Sequence, residues 1–154
     1  MTKKNQTTEE LSYYRLTLID YLRSSFPERL KDEEFINKRD EEASEAYEEA
    51  IRNGMTQEEA STEANAVLFE GLYFSKFDTI MDVLTEEFTE ELEEDQFRPF
   101  AMQMMPICEK VFSRYELTDD FAYSPEYDKL YTEITGAIQI WIEENGIRFQ
   151  KESN

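Results

Sequence analysis

The fold class is decided by residues 124–146, which read SPEYDKLYTEITGAIQIWIEENG. Ser124 and Pro125 are typical of a helix start, and Gly146 is typical of a helix end. Between them, apolar residues recur every three or four positions, which places them on one helix face. These residues are Tyr127, Leu130, Tyr131, Ile134, Ile138, Trp141 and Ile142. We expect a long amphipathic helix, with Trp141 substantially buried.

The same helical spacing recurs along the rest of the chain, and no run alternates as a strand does. Earlier helices are predicted over about 8–24 and 32–53, after Thr56, from Ser75 through Leu92, and from Phe97 to about Tyr115. Pro106 should kink the last of these, because proline lacks an N–H. We predict an all-α fold, an irregular multihelical bundle of about five to six helices.

Several helix boundaries have local signals of their own. Gly54 suits the left-handed position after a helix, and Thr56 with Glu59 is expected to form a capping box. Thr7 and Glu10 are expected to form another. A break is predicted near Gly71, and the apolar segment 72–77 after it is expected to be buried or to continue the helix.

The chain is long enough to bury a core without disulfides or a metal. It has 154 residues, 40% of them hydrophobic, including 11 Phe and 9 Tyr. A chain of this length buries about 68–70% of its unfolded surface. We predict one helical domain over 1-154, or at most two small lobes. Residues 1-7 are expected to be a disordered N-terminus and residues 147-154 a frayed C-terminus.

The sequence predicts a cytoplasmic protein. It has no run of 18 apolar residues, and its N-terminal residues lack the apolar segment of a signal peptide. Its single cysteine, Cys108, precludes an internal disulfide and fits a reducing compartment. We expect no membrane partner.

Charge is the most unusual property of the sequence. The formal net charge is −20, from 16 basic and 36 acidic residues. Residues 40–95 hold 19 acidic and 2 basic residues, a net charge of −17. Nucleic acids and anionic membranes are bound through basic surfaces. We therefore expect no direct nucleic-acid partner, and a basic protein is the partner class that the charge favours.

The sequence lacks the residue types that most catalytic sites need. The chain has no histidine, which removes the His-dependent triads and His-ligated metal sites. Four scattered glycines do not form a phosphate-binding loop. Cys108 lies among apolar residues and before Glu109, so a buried structural cysteine is favoured over a nucleophile. We expect no catalytic residues and no cofactor.

Two other clusters have an ordinary and a functional interpretation. The acidic pairs Glu41/Glu45, Glu45/Glu49 and Glu90/Glu94 are favoured as surface charge over weak magnesium sites. The cluster of Met102, Met104 and Met105 is favoured as flexible core filling beside Pro106 over an adaptable binding surface. No metal ligands are assigned.

The candidate partner surface is residues 86–95, which we call the acidic ridge. It has no basic residue and seven acidic ones, namely Glu86, Glu87, Glu90, Glu91, Glu93, Glu94 and Asp95. In a continuous helix Phe88 and Leu92 would face inward. Like-charged pairs four residues apart would then oppose that helix by roughly 1 kcal/mol in total. The ridge is either a docking surface for a positive groove or solubilising charge.

Three stretches carry a resemblance to a known family. They are LSYYRL at 11–16, FINKR at 35–39 and GLYFSK at 71–76. Together they resemble an uncharacterised family, a domain of unknown function, of small acidic helical proteins from gut and oral anaerobic bacteria. The resemblance implies a multihelical fold, often encoded among mobile-element genes, and supplies no catalytic residues.

The sequence therefore identifies no specific activity. The favoured interpretation is a non-enzymatic interaction module with an acidic central face, and a sharper version is a nucleic-acid mimic. The alternatives are an enzyme that uses carboxylates and a divalent metal, and a structural or assembly subunit. The sequence does not determine the oligomeric state.

Overall fold

The computed structural model describes residues 2–147, with side chains from Tyr13 onward. This part of the chain is all-α, as predicted, and contains no strand. One more helix is present than the sequence predicts. The helices are α1 (Thr2–Ser25), α2 (Glu33–Arg52), α3 (Gln57–Leu68), α4 (Lys76–Glu87), α5 (Phe97–Ile107), α6 (Glu109–Phe112) and α7 (Glu126–Asn145). None of these helices combines the length and apolarity needed to cross a membrane.

The chain divides into two compact units, Met1–Tyr73 and Phe74–Asn154. That the two units form the single domain that the sequence predicts stays a prediction. α1 begins at Thr2, ahead of the predicted start at Thr8. The side chains of the predicted capping box at Thr7 and Glu10, and those of the 1-7 segment, lie outside the described residues. So do residues 148–154 of the predicted frayed end.

Unit 1 is built from α1, α2 and α3, with α2 packed against both other helices. Leu18 and Leu22 of α1 meet Ile36 and Ala43 of α2 in a fully buried core. α1 ends at Ser25, directly before Phe26 and Pro27 as predicted. The residue before a proline is disfavoured in the helical region, so the sequence sets this end locally.

The boundary between α2 and α3 has the predicted geometry. Gly54 follows α2 with φ +91°, a conformation that side chains disfavour. The Thr56 hydroxyl accepts from the Glu59 N–H at 3.1 Å, and Glu59 Oε1 accepts from the Thr56 N–H at 2.9 Å. This reciprocal pair is the capping box that the sequence predicts. The break near Gly71 is also confirmed, since α3 ends at Leu68 and Gly71 has φ +79°.

Unit 2 packs α4, α5, α6 and α7 around a second core. Its largest fully buried side chains are Phe77, Phe88, Phe100 and Phe112, and Ile134 and Ile138 bring the predicted α7 stripe against this core. Trp141 is only partly buried, because it lies in the last turns of α7. Its ring packs edge to face on Phe100, with ring centroids 5.8 Å apart.

Pro106 breaks a helix that the sequence predicts as kinked but continuous. α5 ends at Ile107, one residue after the proline, and the four-residue α6 follows Cys108. Pro106 has no N–H to donate to the preceding turn, and its ring crowds that turn. This break accounts for the additional helix.

Candidate functional site

The acidic ridge is a helix end followed by a turn, which corrects the prediction of a continuous helix through Leu92. α4 ends at Glu87, and Phe88 leaves the helical region with φ −127° and ψ 34°. Residues 89–91 form a turn, and Glu94–Gln96 form a short 3-10 helix. Continuing α4 would stack like charges four residues apart with no basic residue to offset them, and the turn separates them.

The inward face of the ridge is as predicted. Phe88 is 2% exposed and Leu92 4% exposed, and both belong to the core of unit 2. The seven acidic side chains between and around them are all exposed. The two buried residues therefore anchor a turn whose carboxylates project into solvent.

Tyr131 of α7 positions the first two carboxylates of the ridge. Its hydroxyl lies 2.9 Å from Glu86 Oε1 and 3.0 Å from Glu87 Oε2. One hydroxyl has one proton to donate, so the two carboxylates share a single donor. Burial, the two hydrogen bonds and the two negative charges raise the pKa of Tyr131, so it remains a neutral donor.

Two further carboxylates extend this negative surface along α4. Asp78 and Asp82 precede Glu86 at four-residue intervals, so the three lie along one helix face. Burial, followed by the charges of Asp78 and Glu86, raises the pKa of Asp82. Asp78 and Asp82 were not predicted from the sequence as part of this surface, although their four-residue spacing before Glu86 was a usable signal. The role of Tyr131 depends on the packing of α7 beside α4 and had no local signal.

Cys108 has the surroundings of a structural residue. Its side chain is fully buried in the core of unit 2, and burial raises the pKa of its thiol to about 12. A thiol with that pKa is almost entirely protonated at neutral pH, and the thiolate is the nucleophile. The geometry supports the interpretation as a buried core cysteine.

We expect the Cys108 thiol to be inert in the folded protein. A thiol reagent at pH 8 should label it at least about a hundredfold more slowly in buffer than in denaturant, because labelling requires local opening. Cys108→Ser should destabilise the fold by about 1–3 kcal/mol, since it buries a hydroxyl. Rapid labelling of the native protein would contradict this prediction.

The methionine cluster is divided between core and surface. Met104 is fully buried and Met105 half-buried, so the prediction of core filling is right for these two. Met102 is 43% exposed and points away from that core. The alternative interpretation, an adaptable surface, therefore remains open for Met102 alone.

Across the described side chains, no group of three or more Cys, Asp or Glu residues lies close enough to hold a metal ion. Glu41, Glu45 and Glu49 are exposed on α2, and Glu90 and Glu94 are exposed on the ridge. These residues carry surface charge, which is the interpretation that the sequence favours for them.

The first two stretches that carry the family resemblance, and Gly71 of the third, meet within unit 1, and the third stretch continues into unit 2 at Phe74. Arg15 of the first donates to Asn37 of the second, and to Glu33 Oε1 at 2.6 Å. Arg39 of the second donates to the Leu68 carbonyl at 3.0 Å, beside Gly71 of the third. These contacts join α1, α2 and the end of α3, so the stretches have a packing role.

A cavity of about 440 Å³ lies beside Arg39 in unit 1. Its lining residues are Phe35, Lys38, Arg39, Glu42, Glu70 and Gly71. The two basic and two acidic side chains balance, so the electrostatics of the cavity favour neither anions nor cations. The charged side chains of the acidic ridge in unit 2, by contrast, are all negative.

The comparisons with known proteins agree with the fold and assign no chemistry. Residues 6–147 match the family model described as Domain of unknown function (DUF1896). The structure is similar to the crystal structure of protein PG0816 from Porphyromonas gingivalis, with a TM-score of 0.87 and 42% sequence identity. That similarity covers 92% of this chain and 97% of the other. No curated protein matches the sequence.

Proposed function

The chain belongs to the DUF1896 family, as its resemblance predicted, and from that premise we propose that it is a non-enzymatic interaction module. Its acidic ridge, extended by Asp78 and Asp82, binds a basic protein partner in the cytoplasm. The single observation that carries this proposal is the exposure of all seven ridge carboxylates on a turn anchored by buried Phe88 and Leu92.

Leaving Glu91 aside, the ridge carboxylates form no ion pair with another described residue. Glu86 and Glu87 share a hydrogen-bond donor, but it is the neutral hydroxyl of Tyr131. Two ion pairs of unit 2, Lys76–Glu109 and Arg114–Glu133, lie elsewhere. Charges kept unpaired on one surface are available to a partner of opposite sign. Such complementarity contributes chiefly to association rate and specificity.

Repulsion on the free surface supports the same conclusion. The raised pKa of Asp82 arises in part from the charges of Asp78 and Glu86 beside it. Like charges held this close oppose one another, and a cationic partner relieves that repulsion when it binds. Binding of a cationic partner is therefore favoured by the loss of repulsion between these carboxylates.

A sharper version of the proposal is a nucleic-acid mimic. A net charge of −20 disfavours binding to nucleic-acid phosphates, but the same negative charge takes the place of those phosphates in a basic groove. In that version the partner is itself a nucleic-acid-binding protein, and duplex DNA competes with this chain for it. If DNA does not displace the partner, the mimic version is wrong and the general proposal stands.

Neutralising the ridge should weaken partner binding. We expect the triple variant Glu86→Gln, Glu90→Gln, Glu94→Gln to retain a basic partner at least about tenfold less well than the parent protein, which corresponds to about 1.4 kcal/mol. The measurement is quantitative capture from a native lysate at two salt concentrations. Added salt should also release the partner, since the screening length shortens from about 8 Å to about 3 Å at 1 M.

A matched control separates a local surface from net charge. The variant Glu41→Gln, Glu45→Gln, Glu48→Gln removes three exposed charges from α2 in unit 1. We expect it to retain the partner at the parent level. Equal loss of partner binding in both variants, or undiminished capture by the ridge variant, would show that the ridge only solubilises the protein.

A further inference from the structure

The solvent-facing side of α5 is uncharged along its centre, whereas the outer face of a surface helix is normally polar and charged. Pro99, Met102, Gln103 and Pro106 are exposed there, at spacings of three and four residues. Met102 is 43% exposed, and Ile107 at the end of the helix is 40% exposed. The face is apolar apart from the Gln103 amide and the exposed Arg98, which lies four residues before Met102.

This composition is unusual for the chain. Charged residues make up 34% of the sequence, yet residues 96–108 contain no acidic residue and one basic residue, Arg98. The Arg98 guanidinium lies 4.8 Å from the centre of the Phe77 ring. An exposed apolar patch bordered by charge is a common mark of an interaction site.

The acidic ridge and the apolar face are consecutive and structurally joined. The 3-10 helix Glu94–Gln96 runs directly into α5 at Phe97. Gln96 Oε1 accepts from the Glu93 N–H at 2.8 Å, and the Gln96 N–H donates to the Glu93 carbonyl at 2.9 Å. The junction is therefore ordered, with carboxylates before it and, after it, a largely apolar face that has no acidic residue.

We propose that the ridge and the outer face of α5 form one docking surface for a basic amphipathic helix of a partner protein. This inference rests on the proposed function and names the partner's chemistry. The apolar side of the partner helix packs on Met102 and Ile107, and its lysines or arginines lie over the ridge. An unbranched methionine side chain adapts to different apolar partners.

The dimensions set the size of the partner segment. The eleven residues of α5 extend about 16 Å at 1.5 Å per residue. A partner helix of three to four turns, with apolar residues at i, i+3 or i+4 and i+7, would cover this length and reach the ridge. Basic residues would cluster at the end that lies over the ridge.

Charge complementarity selects this occupant over two others. A second copy of the chain has a net charge of −20 and would bring more negative charge toward the ridge. An anionic lipid surface would do the same. A helix with an apolar face and a basic end satisfies both halves of the surface.

The test uses the full-length chain and defined peptides. The probe is a fluorescent helical peptide of about 14 residues, made of Leu, Lys and Ala, with leucines on one face and lysines at one end. A scrambled peptide of the same composition lacks the apolar face. We expect fluorescence anisotropy to show the amphipathic peptide binding at least about tenfold more tightly than the scrambled one.

Two double variants locate the apolar contact. Met102→Gln with Ile107→Gln should weaken binding of the amphipathic peptide about tenfold. The matched control is Ile51→Gln with Met55→Gln in unit 1, which alters a 39% exposed isoleucine and a 38% exposed methionine. The control should bind as the parent does. All four positions are exposed, and circular dichroism checks that each variant keeps its helix content.

The outcomes distinguish this inference from the proposed function. If both peptides bind equally and only the ridge triple variant weakens them, the inference about α5 is wrong and the ridge proposal stands. If the ridge triple variant binds as the parent does, the proposed function fails. If sedimentation shows a dimer that Met102→Gln with Ile107→Gln disrupts, the face is covered by a second copy, and the basic helix is wrong.

Discussion

Phe100→Ala is expected to lower the free energy of unfolding by about 3–5 kcal/mol, the largest effect of any substitution considered for this protein. Phe100 is fully buried in the core of unit 2, where its ring meets the edge of Trp141. Truncation removes the buried ring and leaves a cavity that the surrounding helices only partly close. A loss of this size is a large fraction of the stability of a small domain.

Urea titration followed by Trp141 fluorescence measures this loss, because Trp141 is the single tryptophan and lies in unit 2. Met102→Ala on the exposed face of the same helix is the control, with an expected change within about 0.5 kcal/mol. Trp141→Ala, followed by circular dichroism, should cost about 2–3 kcal/mol, less than a fully buried ring. A loss below about 1 kcal/mol for Phe100→Ala would show that the core is misassigned.

Asp40→Asn is expected to raise the free energy of unfolding at pH 7 by about 2 kcal/mol. Asp40 is 3% exposed on α2, and its Oδ1 atom accepts no hydrogen bond from the residues whose side chains the structure describes. Burial raises the pKa of this carboxyl from 3.8 to about 6, against an opposing effect of Arg15 and with a smaller contribution from Glu41. The ionised carboxylate is therefore a cost to the folded state at neutral pH.

The sign of the pH dependence follows from that shift. Between about pH 4 and pH 6 the native carboxyl keeps a proton that the unfolded one has lost, so stability falls as the pH rises through this window. A difference of about two pKa units corresponds to about 3 kcal/mol at most. Asp40→Asn removes this contribution. The stability of the variant relative to the parent should therefore increase as the pH rises from about 4 to about 6.

Chemical denaturation at several pH values between 4 and 8 measures the effect. Glu49→Gln, an exposed carboxylate nine residues further along α2, is the matched control, and its stability should differ from that of the parent by the same amount at every pH in this window. Ser44 lies one turn after Asp40, and its buried hydroxyl also has no hydrogen-bond partner among the described side chains and backbone. Ser44→Ala should therefore stabilise the fold by about 1 kcal/mol. Equal or lower stability of Asp40→Asn at pH 7 would contradict the assignment.

The boundary between α2 and α3 was predictable because its signals are local. Gly54 and the Thr56–Glu59 box act within a few residues of one another, and no distant contact is needed to end α2 or begin α3. The same holds for Pro125 and Gly146 around α7. Capping and proline effects depend only on neighbouring backbone, which is why sequence alone locates them.

The end of α4 could not be predicted from the same rules. Phe88 and Leu92 suit the inner face of a continued helix, and both are buried as that helix would require. The choice between helix and turn depends on like-charge repulsion of about 1 kcal/mol weighed against packing that the sequence does not show. Pro106 is similar, because a proline either kinks or ends a helix according to what surrounds it.

The candidate site was likewise predicted only in part. Its seven ridge carboxylates and their exposure followed from composition and spacing, since charged side chains are rarely buried without a partner. The shared hydrogen bonds of Tyr131 and the exposed face of α5 did not follow, because they depend on which helices pack together.

The sequence alone therefore determined the all-α class, the cap and turn between α2 and α3, the family and the position of the negative charge, all of which depend on residues near one another in the chain. Only the tertiary structure decided which apolar faces are covered. Met104 is buried while Met102 is exposed, and Asp40 is enclosed without a partner for Oδ1 while Glu41 beside it reaches solvent. Burial is a property of what packs against a residue, and those neighbours come from distant parts of the sequence.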